Sequence, residues 1–255
     1  MKYVLFFVAA VGIWVTYQFV SNEESGMVNN EGQSSEQINV TSSVNKDSLE
    51  EDYVIDRSDF VDVSAIVSEM SLEEVVTKES VLSETEIRWL SYMREEEKLA
   101  RDVYQKLYEI WDLNIFSNIA KSEETHTEAV KELISRYSLT DPVLDDTVGV
   151  FSNEELALLY TDLVSQGSVS LEEALAVGAT IEDLDIRDLQ IAVEESKQED
   201  IIVVYKNLMK GSRNHLRAFN KQLEKRTGIP YQAKYISDEE LKEIINTDTE
   251  RGYIR

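Results

Sequence analysis

The chain contains no cysteine. Disulfides, thiolate zinc sites, iron–sulfur clusters, rubredoxin-like electron-transfer modules, cysteine nucleophiles and lipoprotein attachment are therefore all excluded. Helix breakers are scarce as well, with 2 prolines and 9 glycines in 255 residues. Leu, Glu, Ala, Lys and Ile dominate the C-terminal two thirds, so an all-α fold is expected. Basic residues are few, 25 against 50 acidic ones, for a formal charge of −25. Such a field repels nucleic acid, and no basic patch offsets it. The acidity either keeps the protein soluble or draws cations. No Gly-rich phosphate loop or nucleophile motif is present, which sets aside nucleotide and hydrolytic chemistry.

What is present begins at the N-terminus. Residues Val4 to Val20 (VLFFVAAVGIWVTYQFV) carry no charge, follow Lys2 and precede Glu23-Glu24. Residues 1–21 thus read as a signal peptide or a membrane anchor. The run ends Tyr17-Gln18-Phe19-Val20-Ser21, without small residues at alternate positions before a cut, which favours an uncleaved anchor. The body is then expected outside the cytoplasm, periplasmic or extracytoplasmic, and tied to the membrane through residues 4–20 if the segment is retained. Residues 22–83 form an acidic low-complexity linker. Its first part, to about Ser58, has too few large apolar residues to offset the entropy of ordering. Phe60 to Val81 regain enough apolar character for one or two short helices.

Residues 84–228 repeat one pattern four times. After the N-cap signature Ser83-Glu84-Thr85-Glu86, positions alternating three and four apart are Leu90, Met93, Glu97, Ala100, Tyr104, Leu107 and Trp111. A second run gives Phe116, Ile119, Glu123, His126, Val130, Leu133 and Tyr137, stopping near Ser138. A third, opened by Ser170, gives Leu171, Leu175, Gly178, Glu182, Asp185, Leu189 and Ala192. A fourth gives Ile201, Tyr205, Leu208, Ser212, His215 and Phe219, and stops at Gly228-Ile229-Pro230. Residues 140–167 between the second and third runs carry a shorter amphipathic helix near 152–165. The expected architecture is an antiparallel four-helix bundle with a long crossover between helices 2 and 3. The charged tail, residues 229–255, is expected to be peripheral, with a short helix over 237–246.

All four seams turn polar at mid-length. Burying an isolated carboxylate or imidazole costs several kcal/mol unless it is paired, so four coincident lapses call for a shared partner. Glu123 and His126, three apart, share a helix face, and this Glu-x-x-His spacing holds paired metal ions in bundle cores. The chain has 2 histidines, and both fall on seam positions. A hydrogen-bonded Glu–His network without metal is the structural alternative.

Three segments carry a family resemblance: Glu97-Lys98-Leu99-Ala100-Arg101-Asp102-Val103-Tyr104, Glu123-Glu124-Thr125-His126, and Gly211 to Phe219 (GSRNHLRAF). They resemble the DUF2202 proteins of the ferritin-like superfamily, over about residues 84–228. More distantly, the Glu-x-x-x-Arg-x-x-Tyr and Glu-x-x-His patterns resemble rubrerythrin-type di-iron carboxylate bundles. The resemblance implies two Fe or Mn ions bound by Glu97, Glu123, His126, Glu182 and His215. A full site of this kind repeats Glu-x-x-His on the fourth helix, where this chain has Ser212; either Asp185, one turn from Glu182, substitutes, or it points away and three carboxylates leave a mononuclear or vestigial site. Arg101, Tyr104 and Ser212 are the candidates to hold the ligands in place, and no residue is assigned a catalytic role.

The implied chemistry is oxidative, a ferroxidase or a peroxide- or oxygen-reducing oxidoreductase, whose partners are metal ions, dioxygen or peroxide, and a second copy of the chain as a homodimer. The alternative is a non-catalytic envelope binding module with a polar Glu–His core. Outside the layer, Glu95-Glu96 and Glu194-Glu195 are expected on solvated faces, while the Arg213, Asn214 and Arg217 group either binds partners or carboxylates or lies on a solvated face. Tyr104 and Tyr205 are expected to pack in the seams.

Overall fold

The computed structural model describes residues 82–254. The expected signal or anchor and all of the linker before residue 82 lie outside the described residues. Those residues form six α-helices and no strand: α1 (Glu84–Trp111), α2 (Asn114–Arg136), α3 (Glu154–Gly167), α4 (Leu171–Glu195), α5 (Glu199–Thr227) and α6 (Asp238–Ile245). Among them no helix is long and apolar enough to cross a membrane.

Helix boundaries follow local chemistry. The α1 N-terminus closes a capping box, with Ser83 Oγ accepting from Glu86 N at 3.2 Å and Glu86 Oε2 accepting from Ser83 N at 2.8 Å. Ser170 caps α4 by accepting from Glu173 N, and Asn153 caps α3. Gly228, at φ +72°, ends α5 in the left-handed region that glycine adopts without a Cβ penalty. Helix α2 stops at Arg136, two residues before the expected end at Ser138, which has φ +54°.

The four long helices form the bundle. Helix α1 packs on α2 and α4, while α5 packs on α4 and α2. The links α1–α2 and α4–α5 are too short for anything but antiparallel neighbours. Across the other two interfaces, Trp89 near the start of α1 donates to Glu195 at the end of α4 (2.7 Å), and Tyr137 after α2 donates to Asp200 at the start of α5 (2.7 Å). Every neighbouring pair is thus antiparallel. The crossover, with α3 laid on α1 and α4, carries the chain back along the bundle.

The apolar core is divided. One cluster gathers Leu90, Met93, Val130, Leu133, Leu189, Ile201, Val204 and Leu208 at one end. The other gathers Val103, Tyr104, Leu107, Phe116, Ile119, Leu175 and Phe219 at the far end. Fully burying an aliphatic or aromatic side chain contributes about 1.5–3 kcal/mol, so the two clusters supply the drive that holds the polar layer between them.

The tail is not peripheral, contrary to the expectation for residues 229–255. Tyr231, Ile236, Leu241 and Ile244 are buried in the second cluster. The buried Asp183 of α4 accepts from Tyr231 Oη (2.8 Å) and from the backbone N–H groups of Lys234 (2.6 Å), Tyr235 (3.1 Å) and Ile236 (2.9 Å). Further on, Glu250 pairs with Arg213 and Arg217, and its carbonyl accepts from Asn214. The tail therefore covers this face of α5, and of the two readings of the Arg213, Asn214 and Arg217 group the structure has the carboxylate-binding one. Asp183 supplies the acceptors that the tail's backbone N–H groups need once they are laid against α4.

Glu95 and Glu96 are buried too, where a solvated face was expected. Glu95 accepts from the backbone N–H groups of Ser152 and Asn153 and so anchors the chain entering α3. The crossover that covers α1 creates this second buried face. Glu194 and Glu195 are exposed, as expected.

Candidate metal centre

Each long helix delivers its polar seam residues between the two apolar clusters. Helix α1 brings Glu97, α2 brings Glu123 and His126, α4 brings Glu182 and Asp185, and α5 brings Ser212 and His215. None of these residues is more than 5% exposed.

Glu123 stands at the middle. Its Oε2 lies 2.7 Å from His126 Nδ1, and its Oε1 lies 2.7 Å from His215 Nδ1. His126 Nδ1 also faces Glu97 Oε2 at 3.3 Å, and His215 Nδ1 faces Glu182 Oε2 at 3.4 Å. The imidazoles stack, with centroids 5.7 Å apart and planes inclined by 25°. Two triads result, Glu97–Glu123–His126 and Glu123–Glu182–His215. The ligand atoms of each lie within 4.8 Å of one another.

Surrounding residues fix the ligands. The Tyr104 hydroxyl donates to Glu182 Oε1 at 2.5 Å and lies 3.3 Å from the Gly178 carbonyl, so this seam tyrosine both packs and orients a carboxylate. His215 Nε2 lies 3.0 Å from Ser122 Oγ, which turns the opposite nitrogen toward Glu123. Sequence reasoning missed Ser122. Its only signal was its place one residue before Glu123, and no helical periodicity picks that out. Gly211 permits α5 to approach His126, since a Cβ there would sit 2.7 Å from the ring atoms Cε1 and Nε2.

Asp185 stands beside the triads but belongs to neither. Its Oδ2 accepts from the Ser212 hydroxyl, while its Oδ1 has no hydrogen-bond partner. Arg101 is turned away from Glu97, pairing with Asp102 (2.9 Å), Glu124 (2.7 Å) and Asp146 (2.7 Å) to tie α1 to α2 and the crossover. Tyr205 packs in its seam, with its buried hydroxyl unpartnered.

The electrostatics match a site short of positive charge. Burial pushes Glu97 up to about 7 despite the opposing pull of His126. Burial likewise raises Glu182, and it raises Asp185 further with Glu97 as an added repulsion. Glu123 goes the other way: burial opposes its charge, yet the two imidazoles hold it well below the usual carboxylate range. Those imidazoles rise in turn. Burial works against His215, but Glu123 and Glu182 lift it to about 9; Glu123 and Glu97 lift His126 well above its ordinary value against the same penalty. The carboxylates thus draw positive charge toward both imidazoles, whether as protons or as a bound cation.

Orphaned atoms show that protons alone do not satisfy this layer. Glu97 Oε1 and Asp185 Oδ1 have no donor. Glu123 Oε1 and His215 Nδ1 face each other at 2.7 Å without the alignment of a hydrogen bond. Converging imidazole nitrogens and carboxylate oxygens with unused lone pairs form a donor set that fits first-row divalent ions such as Fe or Mn.

Comparison with known proteins agrees with the resemblance in part of its detail. The family model described as "Uncharacterized protein domain (DUF2202)" matches residues 86–248, beyond the expected boundary at 228 and into the tail that covers α4 and α5. The protein described as Uncharacterized protein MJ0754 of Methanocaldococcus jannaschii is 55% identical over 174 residues, covering 68% of this chain and 94% of that protein. The crystal structure of hypothetical protein MJ0754 from Methanococcus jannaschii superimposes with a TM-score of 0.66 at 54% identity, covering 68% of this chain and 98% of that one. A family match over most of the described residues, joined to a relative of this identity, places the chain in the DUF2202 family.

Proposed function

We propose that this chain is a ferritin-like protein that holds two Fe or Mn ions in its polar layer and acts as an oxidoreductase on dioxygen or peroxide, as a ferroxidase or a peroxide- or oxygen-reducing enzyme. The observation that carries the reading is Glu123, which offers one carboxylate oxygen to each histidine of two buried triads. Glu97 and His126 would hold one ion, Glu182 and His215 the other, and Glu123 would serve both. Two such ions would supply one-electron redox chemistry toward dioxygen or peroxide. The chain itself excludes water with its two apolar clusters, orients Glu182 through Tyr104, and turns His215 with Ser122. The uncharged run at residues 4–20 supports export, with the bundle carried outside the cytoplasm.

A second reading, a non-catalytic binding module, draws on the direct Glu–His contacts and on Ser212 in place of a fourth-helix carboxylate. Metal content decides between the two. The full chain, reconstituted anaerobically with Fe(II) or Mn(II), is assayed by mass spectrometry beside a His126→Ala/His215→Ala double variant. Two ions per chain, lost in the variant, are expected. No ion in either protein would overturn the metal reading and leave the structural network.

A further inference from the structure

Next to the centre lies a second buried acidic group that the two triads do not use. Glu96 of α1 is 3% exposed, and neither of its carboxylate oxygens receives a hydrogen bond. The polar group it meets is another carboxyl, Asp188 of α4, which lies within hydrogen-bond reach and is itself buried. Asp185 and Glu97 are its next charged neighbours.

Positive charge meets the pair at Asp188. Arg187 Nε lies 2.8 Å from Asp188 Oδ1, and the arginine side chain is 38% exposed. Tyr92 donates to the other oxygen of Asp188 at 3.4 Å. Asp188 is therefore compensated and Glu96 is not. A buried, donor-free carboxylate costs several kcal/mol, and a shared proton or a cation are the two ways to relieve it.

Position favours the cation. Asp188 meets the part-exposed Arg187, while the buried Glu96 is in charge contact with Asp188 and with its sequence neighbour Glu97; Asp185, with its own unpartnered Oδ1, stands beside the triads, and Glu97, with its unpartnered Oε1, belongs to one of them. These four carboxyls are a group of buried hard oxygen donors that joins the part-exposed Arg187 to the layer, in a chain whose charge of −25 concentrates cations around it. Glu96 and Asp188 lack the third converging ligand of a permanent site. Two carboxylates completed by water bind a divalent ion loosely enough to pass it on.

We propose that Glu96 and Asp188 form a transfer site through which a hydrated divalent cation, Mn(II) or Fe(II), reaches the centre. This rests on the metal reading above, and the test separates the two. The full chain is mixed rapidly with Mn(II), and uptake is followed by loss of the free-ion electron paramagnetic resonance signal. The comparison is a Glu96→Gln/Asp188→Asn variant, neutral and of equal size, checked for fold by circular dichroism. The expected result is an unchanged final ion count reached about tenfold more slowly, the scale of a lost electrostatic focusing effect. An unchanged rate would overturn the proposal and assign the pair a shared proton. A lower ion count at an unchanged rate would also overturn it, placing Glu96 among the holding ligands. Should the double variant not fold, Asp188→Asn alone carries the same expectation with a smaller slowing. No uptake by the parent chain would instead sink the metal centre, and the transfer site with it.

Discussion

Replacing Gly211 with alanine tests how tightly α5 grips the centre. A Cβ at this position would lie 2.7 Å from both Cε1 and Nε2 of His126. An ordinary carbon contact is about 3.5 Å, so the ring must recede by about 0.8 Å or α5 must move out. Retreat is obstructed on the ring's other side, where Nδ1 already lies 2.7 Å from Glu123 and 3.3 Å from Glu97. Overpacking of this kind costs about 1–3 kcal/mol, and alanine returns about 1 kcal/mol of helix propensity. The net loss of stability is therefore small, about 0–2 kcal/mol. The candidate ligand atom is displaced all the same, and, on the proposed metal reading, Mn(II) affinity is expected to fall about 10- to 100-fold, as it does when a ligand's support is disturbed. Gly167→Ala is the control. Its Cβ meets the flexible tip of Leu107 at 2.7 Å, well inside an apolar cluster, so metal affinity should hold. Thermal unfolding of the metal-free full chain and calorimetric Mn(II) titration measure the two quantities. A Gly211→Ala protein more stable than its parent and equal in Mn(II) affinity would refute the reasoning.

Two further perturbations address the frame around the site. Asp183→Ala strips the acceptor from four donors of the tail and should cost about 3–5 kcal/mol in a urea melt, with residues 229–237 becoming protease-sensitive; a loss below about 1 kcal/mol would count against the clamp. Glu86 accepts from the backbone N–H groups of Lys197 (2.8 Å), Gln198 (3.1 Å) and Ser83 (2.8 Å), and although burial opposes its charge, these donors lower its pKa. A depressed carboxylate stabilises the fold above its unfolded value of 4.5, and that contribution is lost as pH falls through the folded value. Glu86→Gln should therefore cost about 1–3 kcal/mol at neutral pH, and the gap to the parent should close on acidification; a gap independent of pH would refute the assignment.

The sequence alone determined the bundle and the level of its polar layer. Ser83, Ser170 and Gly228 marked helix ends because capping is decided within one turn of chain. Glu97, Glu123, His126, Glu182, Asp185, Ser212 and His215 were legible because a polar residue on an apolar seam breaks a local period, and all seven are buried together. Only the tertiary structure decided what each of them touches. Glu123 serves two histidines because α5 brings His215 to the oxygen that His126 leaves free. Asp185 turned to Ser212, and Arg101 turned outward to Asp146 in the crossover, through contacts between elements that no single helix encodes. Glu95, Glu96 and Asp183 read as solvent-facing or went unremarked because each helix was given one buried face. The crossover on α1 and the tail on α4 bury a second face, and periodicity along one helix carries no information about what is laid over its back.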